Sequence, residues 1–134
     1  MREPLNADET PDARCHRHQA LLEAGDVDGA RALADELRRE RPADGDVYVF
    51  IGENYELAGD LREAHRWMTM GLMRMESQIA ARGDGAATSA SILVQSRYRV
   101  RRALELPLDD GDELVEIARS GERTGERTGG STGD

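Results

Sequence analysis

A chain of 134 residues in which 38% are apolar has room for one domain or one short repeat array, which argues against a second core. Its 18 arginines set against 27 acidic residues leave a formal charge of −9, which repels phosphate backbones and removes nucleic acid as the default partner. Aromatics are scarce (Tyr48, Phe50, Tyr55, Trp67 and Tyr98) whereas Ala, Leu, Arg and Glu abound, so an all-α protein is expected.

The amino terminus "MREPLNADET" has neither the cationic start nor the apolar stretch of a signal peptide, and residues 1–10, polar and carrying Pro4, read as a flexible lead-in. A helical pattern runs from Asp12 to Ala24, with Ala20, Leu21 and Ala24 on one face, and Gly25 ends it. Asp26 can cap the next helix, along which Ala30, Leu33, Ala34 and Leu37 form a stripe until Pro42 stops it. A second hairpin repeats this grammar. Tyr48, Ile51, Gly52 and Tyr55 lie on its first helix, Gly59 and Asp60 at the turn, and Ala64, Trp67 and Met68 on its second. The stretch "ARGDGAAT", residues 81–88, reads as a loop with two glycines. A third long helix is expected from Ala90 to Leu104, then a turn in "LPLDDGD" with Asp110 or Asp112 as cap, then a short helix from Glu113 to Arg119. Residues 120–134, "SGERTGERTGGSTGD", form a low-complexity tail with too little apolar surface to offset the entropy of ordering, and are expected to be disordered.

The longest apolar run, "VYVFI", is too short to span a bilayer, and the lone Cys15 cannot make an internal disulfide. A cytoplasmic, reducing location is the expectation. The absence of lysine beside an excess of Ala, Gly, Asp and Arg points to a GC-rich bacterial genome.

"LLEAGDVDGARALADEL" begins at Leu21, and "YELAGDLREAHRWMTMG" begins 34 residues later at Tyr55 with Ala-Gly-Asp and a following Ala at the same offsets. A 34-residue period of two helices, with Tyr48, Ile51, Gly52, Tyr55 and Ala64 at its diagnostic places, resembles the tetratricopeptide repeat family. The first copy, about residues 11–44, matches at Ala30 and Pro42 but has Arg14, Arg17 and His18 where an aromatic, Leu and Gly belong; the second covers about 45–78. Repeat arrays need about three units to bury a continuous core, so the helices at about 88–119 are expected to cap the array, or a homodimer would serve the same end. The fold the resemblance implies is an α-α superhelix of two hairpins plus a C-terminal capping pair. Gly52 would meet Ala64 at the closest crossing, with Ala30 at the same place in the first copy, while Tyr48 and Tyr55 dock one hairpin on the next.

Members of that family are non-catalytic scaffolds that hold a peptide or partner helix against the first helices of the hairpins. Carried over by position, the groove would be lined by Cys15, Gln19 and Leu22 with Val49, Glu53 and Glu56; the two glutamates favour a basic or mixed apolar-basic ligand, although they also read as a plain solvated face. "WMTMGLMRM" from Trp67 to Met75 is apolar nearly all round, which fits burial between neighbouring helices or a Met-rich docking face through Met68, Met70 and Met73.

Two other function classes have residues to offer. Cys15 with His16 or His18 has the makings of a nucleophile-base pair or part of a metal site, but four ligands at zinc spacing, an oxyanion loop and an orienting acid are all missing, and no cofactor motif is present. The run Arg97–Arg102, "RYRVRR", is the one basic cluster; its arginines spread around the helix instead of forming a phosphate-facing row, and pairing with the acidic "DDGDE" that follows is the expected use.

Overall fold

Aspartate opens every helix of the described residues except the one that follows Ala86. A short carboxylate just outside a helix accepts a hydrogen bond from one of the first free amides and carries the charge that the positive end of the helix dipole favours. The computed structural model describes residues 12–131, without the side chains of residue 84 and residues 122–131. Among them are α1 (Ala13–Glu23), α2 (Val27–Glu40), α3 (Gly45–Leu57), α4 (Leu61–Arg82), α5 (Ala87–Ala103) and α6 (Asp110–Ser131), with a 3-10 turn at Asp84–Ala86 and no strand. Asp12, Asp26, Asp44 and Asp60 cap the first four, each accepting from a backbone N–H within the first turn.

The two turns that share "AGD" are closed identically. Gly25 (φ 81°) and Gly59 (φ 87°) take the left-handed conformation that glycine adopts without a Cβ penalty. The next residue's amide reaches back across the turn, Asp26 N–H to Leu21 O at 2.9 Å and Asp60 N–H to Tyr55 O at 2.9 Å. Leu106 N–H reaches Arg101 O at 3.0 Å in the same way after α5, where Glu105 (φ 59°) occupies the glycine's place. A third copy of the turn is therefore built without its glycine.

Packing is serial. α1 lies against α2 and α3, α3 against α1, α4 and α5, and α5 against α3, α4 and α6. The core follows that line: Leu37, Ile51, Met68, Met75, Leu93 and Val100 are fully buried, with Tyr48, Tyr55 and Trp67 nearly so. Each aliphatic side chain so buried contributes about 1.5–3 kcal/mol. Ala30 and Ala64 are also fully enclosed. A Cβ on Gly52 would lie 2.9 Å from Met68 Cγ and 3.7 Å from Ala64 O, so the expected small-residue crossing is present with Met68 as its nearest wall. An even closer approach occurs at Gly71, where a Cβ would run into Tyr48 Cβ and stand 3.1 Å from Leu93 Cδ1. α4 thus lies close between α3 and α5.

Several boundaries differ from the sequence expectation. α4 continues to Arg82 and α5 starts at Ala87, so the glycine loop shrinks to a single 3-10 turn. The cap of α6 is Asp109, not Asp110 or Asp112: Asp109 Oδ1 accepts from Asp112 N–H at 3.0 Å while Asp112 Oδ2 accepts from Asp109 N–H at 3.1 Å, a reciprocal box. The last helix runs on to Ser131, where the sequence reading ended it at Arg119 and expected disorder from 120. Its first turns are anchored by buried Val115, by Tyr98 Oη donating to Glu116 at 3.0 Å and by Arg119 stacked 4.9 Å over the Tyr98 ring. The glycines that follow are weak helix formers, each costing about 1 kcal/mol relative to alanine, so the helix depends on these docked turns. The expected lead-in of residues 1–10, and residues 132–134, lie outside the described residues.

Candidate functional site

The α1–α3 contact encloses two of the three residues with catalytic potential, Cys15 and His18, and leaves His16 outside. Cys15, expected on the groove, is fully buried in the core, and burial pushes its thiol up to about 12, so the thiolate that nucleophilic or metal chemistry needs is disfavoured. His18 is fully buried on the same face. Asn54 Nδ2 donates to both Cys15 O and His18 Nδ1, each at 3.1 Å, which leaves the imidazole proton on Nε2, an atom without a hydrogen-bond partner. The His18 ring stands edge-on to Tyr55 at 4.8 Å, and burial pushes its pKa down to about 4. His16 points out of this cluster, exposed, with its ring edge-on to Phe50 at 4.8 Å. Cys15 and the two histidines therefore do not converge on a shared open point. Among the described residues no three His, Cys, Asp or Glu side chains could hold a metal ion.

Of the expected groove residues, Gln19 and Leu22 line a cleft of about 430 Å³ between α1 and α3, together with Glu23, Asn54, Leu57 and Ala58. Leu57 stands 81% exposed at its edge. Val49 is half-buried against the core and does not line it. Glu56 is committed elsewhere: Arg99 Nε and Nη2 donate to its two carboxylate oxygens at 2.7 and 2.8 Å, tying α3 to α5. Glu53 also feels the charge of Arg99. Neither Asn54 nor Leu57 was singled out from the sequence; their signal was a polar and an apolar residue one turn apart at the end of "GENYEL", visible only once α1 is known to pass alongside.

The Met-rich helix divides. Met68 and Met75 are buried with Trp67, so Met68 is not part of a docking surface; the helix needs its thioether to fill the space that Gly52 leaves. Met70 is half-buried and Met73 is 64% exposed. Those two line a cleft of about 460 Å³ between α2 and α4, together with Tyr48, Ser77, Arg38, Arg41 and Arg74. The arginines had no signal in the sequence beyond "LRRERP", because Arg74 joins them from 33 residues beyond Arg41.

Three of the four arginines in Arg97–Arg102 are held by carboxylates. Arg97 donates to both oxygens of Asp109 at 3.3 and 2.6 Å, Arg101 Nε donates to the buried Asp112 at 2.8 Å, and Arg99 holds Glu56. Arg97 keeps the Asp109 carboxyl well below its ordinary value. Arg101 Nη1 also lies 3.1 Å from His65 Nε2, whose pKa is lowered by burial and by the same two guanidiniums. This network pins α6 to α5 and α4. The comparisons with protein-family models, with curated proteins and with solved structures give no match for this chain.

Proposed function

We propose that the chain is a tetratricopeptide-like scaffold that binds a peptide or partner helix without catalysis, through the cleft between α1 and α3. The observation that carries this reading is Leu57, 81% exposed beside Leu22 in an open cleft of about 430 Å³ formed by the first helices of two successive hairpins. An exposed leucine over a partly apolar cleft contributes binding energy when a partner covers it and costs solubility otherwise. Glu23 borders the cleft and Glu53 lies one turn before Leu57 on the same side of α3, so a segment presenting an apolar side chain next to Arg or Lys fits. The neutral, enclosed thiol of Cys15 supports a packing role for that residue in place of a nucleophilic one. A cytoplasmic setting remains part of the proposal. Affinity capture from the native host with the unchanged protein and with Leu57→Arg as baits tests it. The expected result is a protein retained by the first and depleted at least about tenfold with the second, the size of effect that losing one buried anchor produces. Identical retention by both would refute the assignment.

A further inference from the structure

A second surface lies between the other two helices of the hairpins, and its chemistry is opposite. It is lined by Tyr48, Met70, Met73 and Ser77 together with Arg38, Arg41 and Arg74, in a chain whose net charge is −9. Two of the nearby acids are drawn off: Arg14 of α1 binds Glu36 at 3.0 Å and Glu40 at 2.8 Å. Arg38 has only Asp35 at 3.8 Å, and among the described residues Arg41 and Arg74 have no carboxylate at ion-pair distance. Arg74 has a structural task, donating to Pro42 O at 3.2 Å and Arg41 O at 3.0 Å, which fixes the end of α2. No such task accounts for Arg38 or Arg41. We infer that the α2–α4 cleft is a docking site for a protein segment in which carboxylates flank an apolar side chain, an inference that rests on the reading of the chain as a peptide-binding scaffold but not on the α1–α3 cleft.

Charge complementarity names the occupant. Guanidiniums lining a cleft meet carboxylates bidentately, while thioethers beside them repack around an aliphatic side chain. A volume of about 460 Å³ lies in the lower part of the range of ligand clefts. A long polyanion is disfavoured by the overall negative charge, whereas a short acidic segment feels little beyond the local arginines because charges more than about 10 Å away are screened.

Fluorescence polarisation with three labelled twelve-residue peptides tests the inference: alternating Glu and Leu, the same with Gln for Glu, and the same with Ser for Leu. The first is expected to bind and the other two to bind at least about tenfold more weakly, with affinity falling as salt is raised. The double change Arg38→Glu with Arg41→Glu, and separately Met73→Ser, should weaken the first peptide by a similar factor while the far-ultraviolet circular dichroism stays unchanged. Leu57→Arg should not weaken it. The inference is overturned by no binding of the Glu-Leu peptide, by equal binding of all three, or by equal competition from an oligonucleotide of the same charge. Loss of binding only in Leu57→Arg would also sink it while leaving the α1–α3 proposal standing. Self-association of the protein abolished by the double arginine change would give the cleft to a second copy instead and equally refute a foreign segment.

Discussion

His18 and Gly52 stand 34 residues apart at the same place in the repeated pattern, yet they meet different neighbours. Gly52 lets α4 approach with Met68 against its backbone, whereas His18 turns its imidazole to Asn54 and Tyr55 of α3, in the next hairpin. The apolar face that the sequence of α1 offers, Ala20, Leu21 and Ala24, stays largely at the surface, while Cys15 and His18 are the residues it buries, so the buried side of α1 is not legible in its pattern; Gln19 and Leu22 of the expected groove do line a cleft, and Cys15 does not. Burial of a neutral imidazole has a measurable consequence. In the unfolded chain His18 takes up a proton near its ordinary value of 6.5, in the folded chain only near about 4, so between those values the unfolded state binds more protons. Stability is then complete above about pH 6.5 and is lost as the pH falls towards about 4, by roughly 1–2 kcal/mol between pH 7 and pH 5. The carboxylates whose pKa values are lowered, Asp12, Glu40 and Asp109, act at still lower pH, below their ordinary range. Urea denaturation at pH 7 and pH 5 should show this loss, and His18→Gln should flatten it; a midpoint that does not move between those pH values would remove His18 from the account.

Among elements, hairpins were legible and their depth was not. Stripes such as Ala30, Leu33, Ala34 and Leu37, bounded by Asp26 and Pro42, state where a helix starts, stops and faces, and the structure buries all four. What the sequence lacks is the neighbour on the far side. Gly52 was read as the close crossing because it recurs in a known pattern, but Gly71 is the tighter one: it faces Tyr48 on α3 and Leu93 on α5 at once. The extent of α6 is the harder part to read, since Gly-rich composition speaks against helix while burial of Val115 and the contacts of Glu116 and Arg119 with Tyr98 of α5 hold its first turns. An alanine scan of the two glycines separates these close approaches. Alanine gains about 1 kcal/mol over glycine in a helix interior. At Gly52 the obstacle is the flexible Met68 thioether 2.9 Å away, so Gly52→Ala should change stability by no more than about 1 kcal/mol. At Gly71 the obstacle is Tyr48 Cβ, fixed to its backbone, so Gly71→Ala should destabilise by about 2 kcal/mol or more. Urea midpoints of the two variants check the order, and a larger loss at Gly52 would contradict it.

For the whole molecule, the serial arrangement makes stability unequal along the chain. α4 is covered on two sides by α3 and α5, and α5 is further fastened by Arg97 and Arg101 to the box at the start of α6. The first hairpin has no such double cover: α1 meets the rest through α3, and its contact there includes the half-satisfied pair of His18 and Asn54. In a chain of stacked units each one is held by its neighbours, and an end unit with one neighbour opens at a lower free energy than an interior one. A helical bundle closed around a single axis would distribute protection more evenly, because every helix would share the same core. Native-state hydrogen exchange therefore distinguishes the two arrangements. Backbone amides of α1 and α2 should exchange through an opening at least about 1 kcal/mol less costly than that of α3, α4 and α5, and the gap should widen at pH 5, where the protonation of His18 favours the open form. Equal opening free energies across α1 to α5, unchanged by pH, would mean that the first hairpin is bound into the core as firmly as the second and that the α1–α3 cleft is not the edge of an open stack.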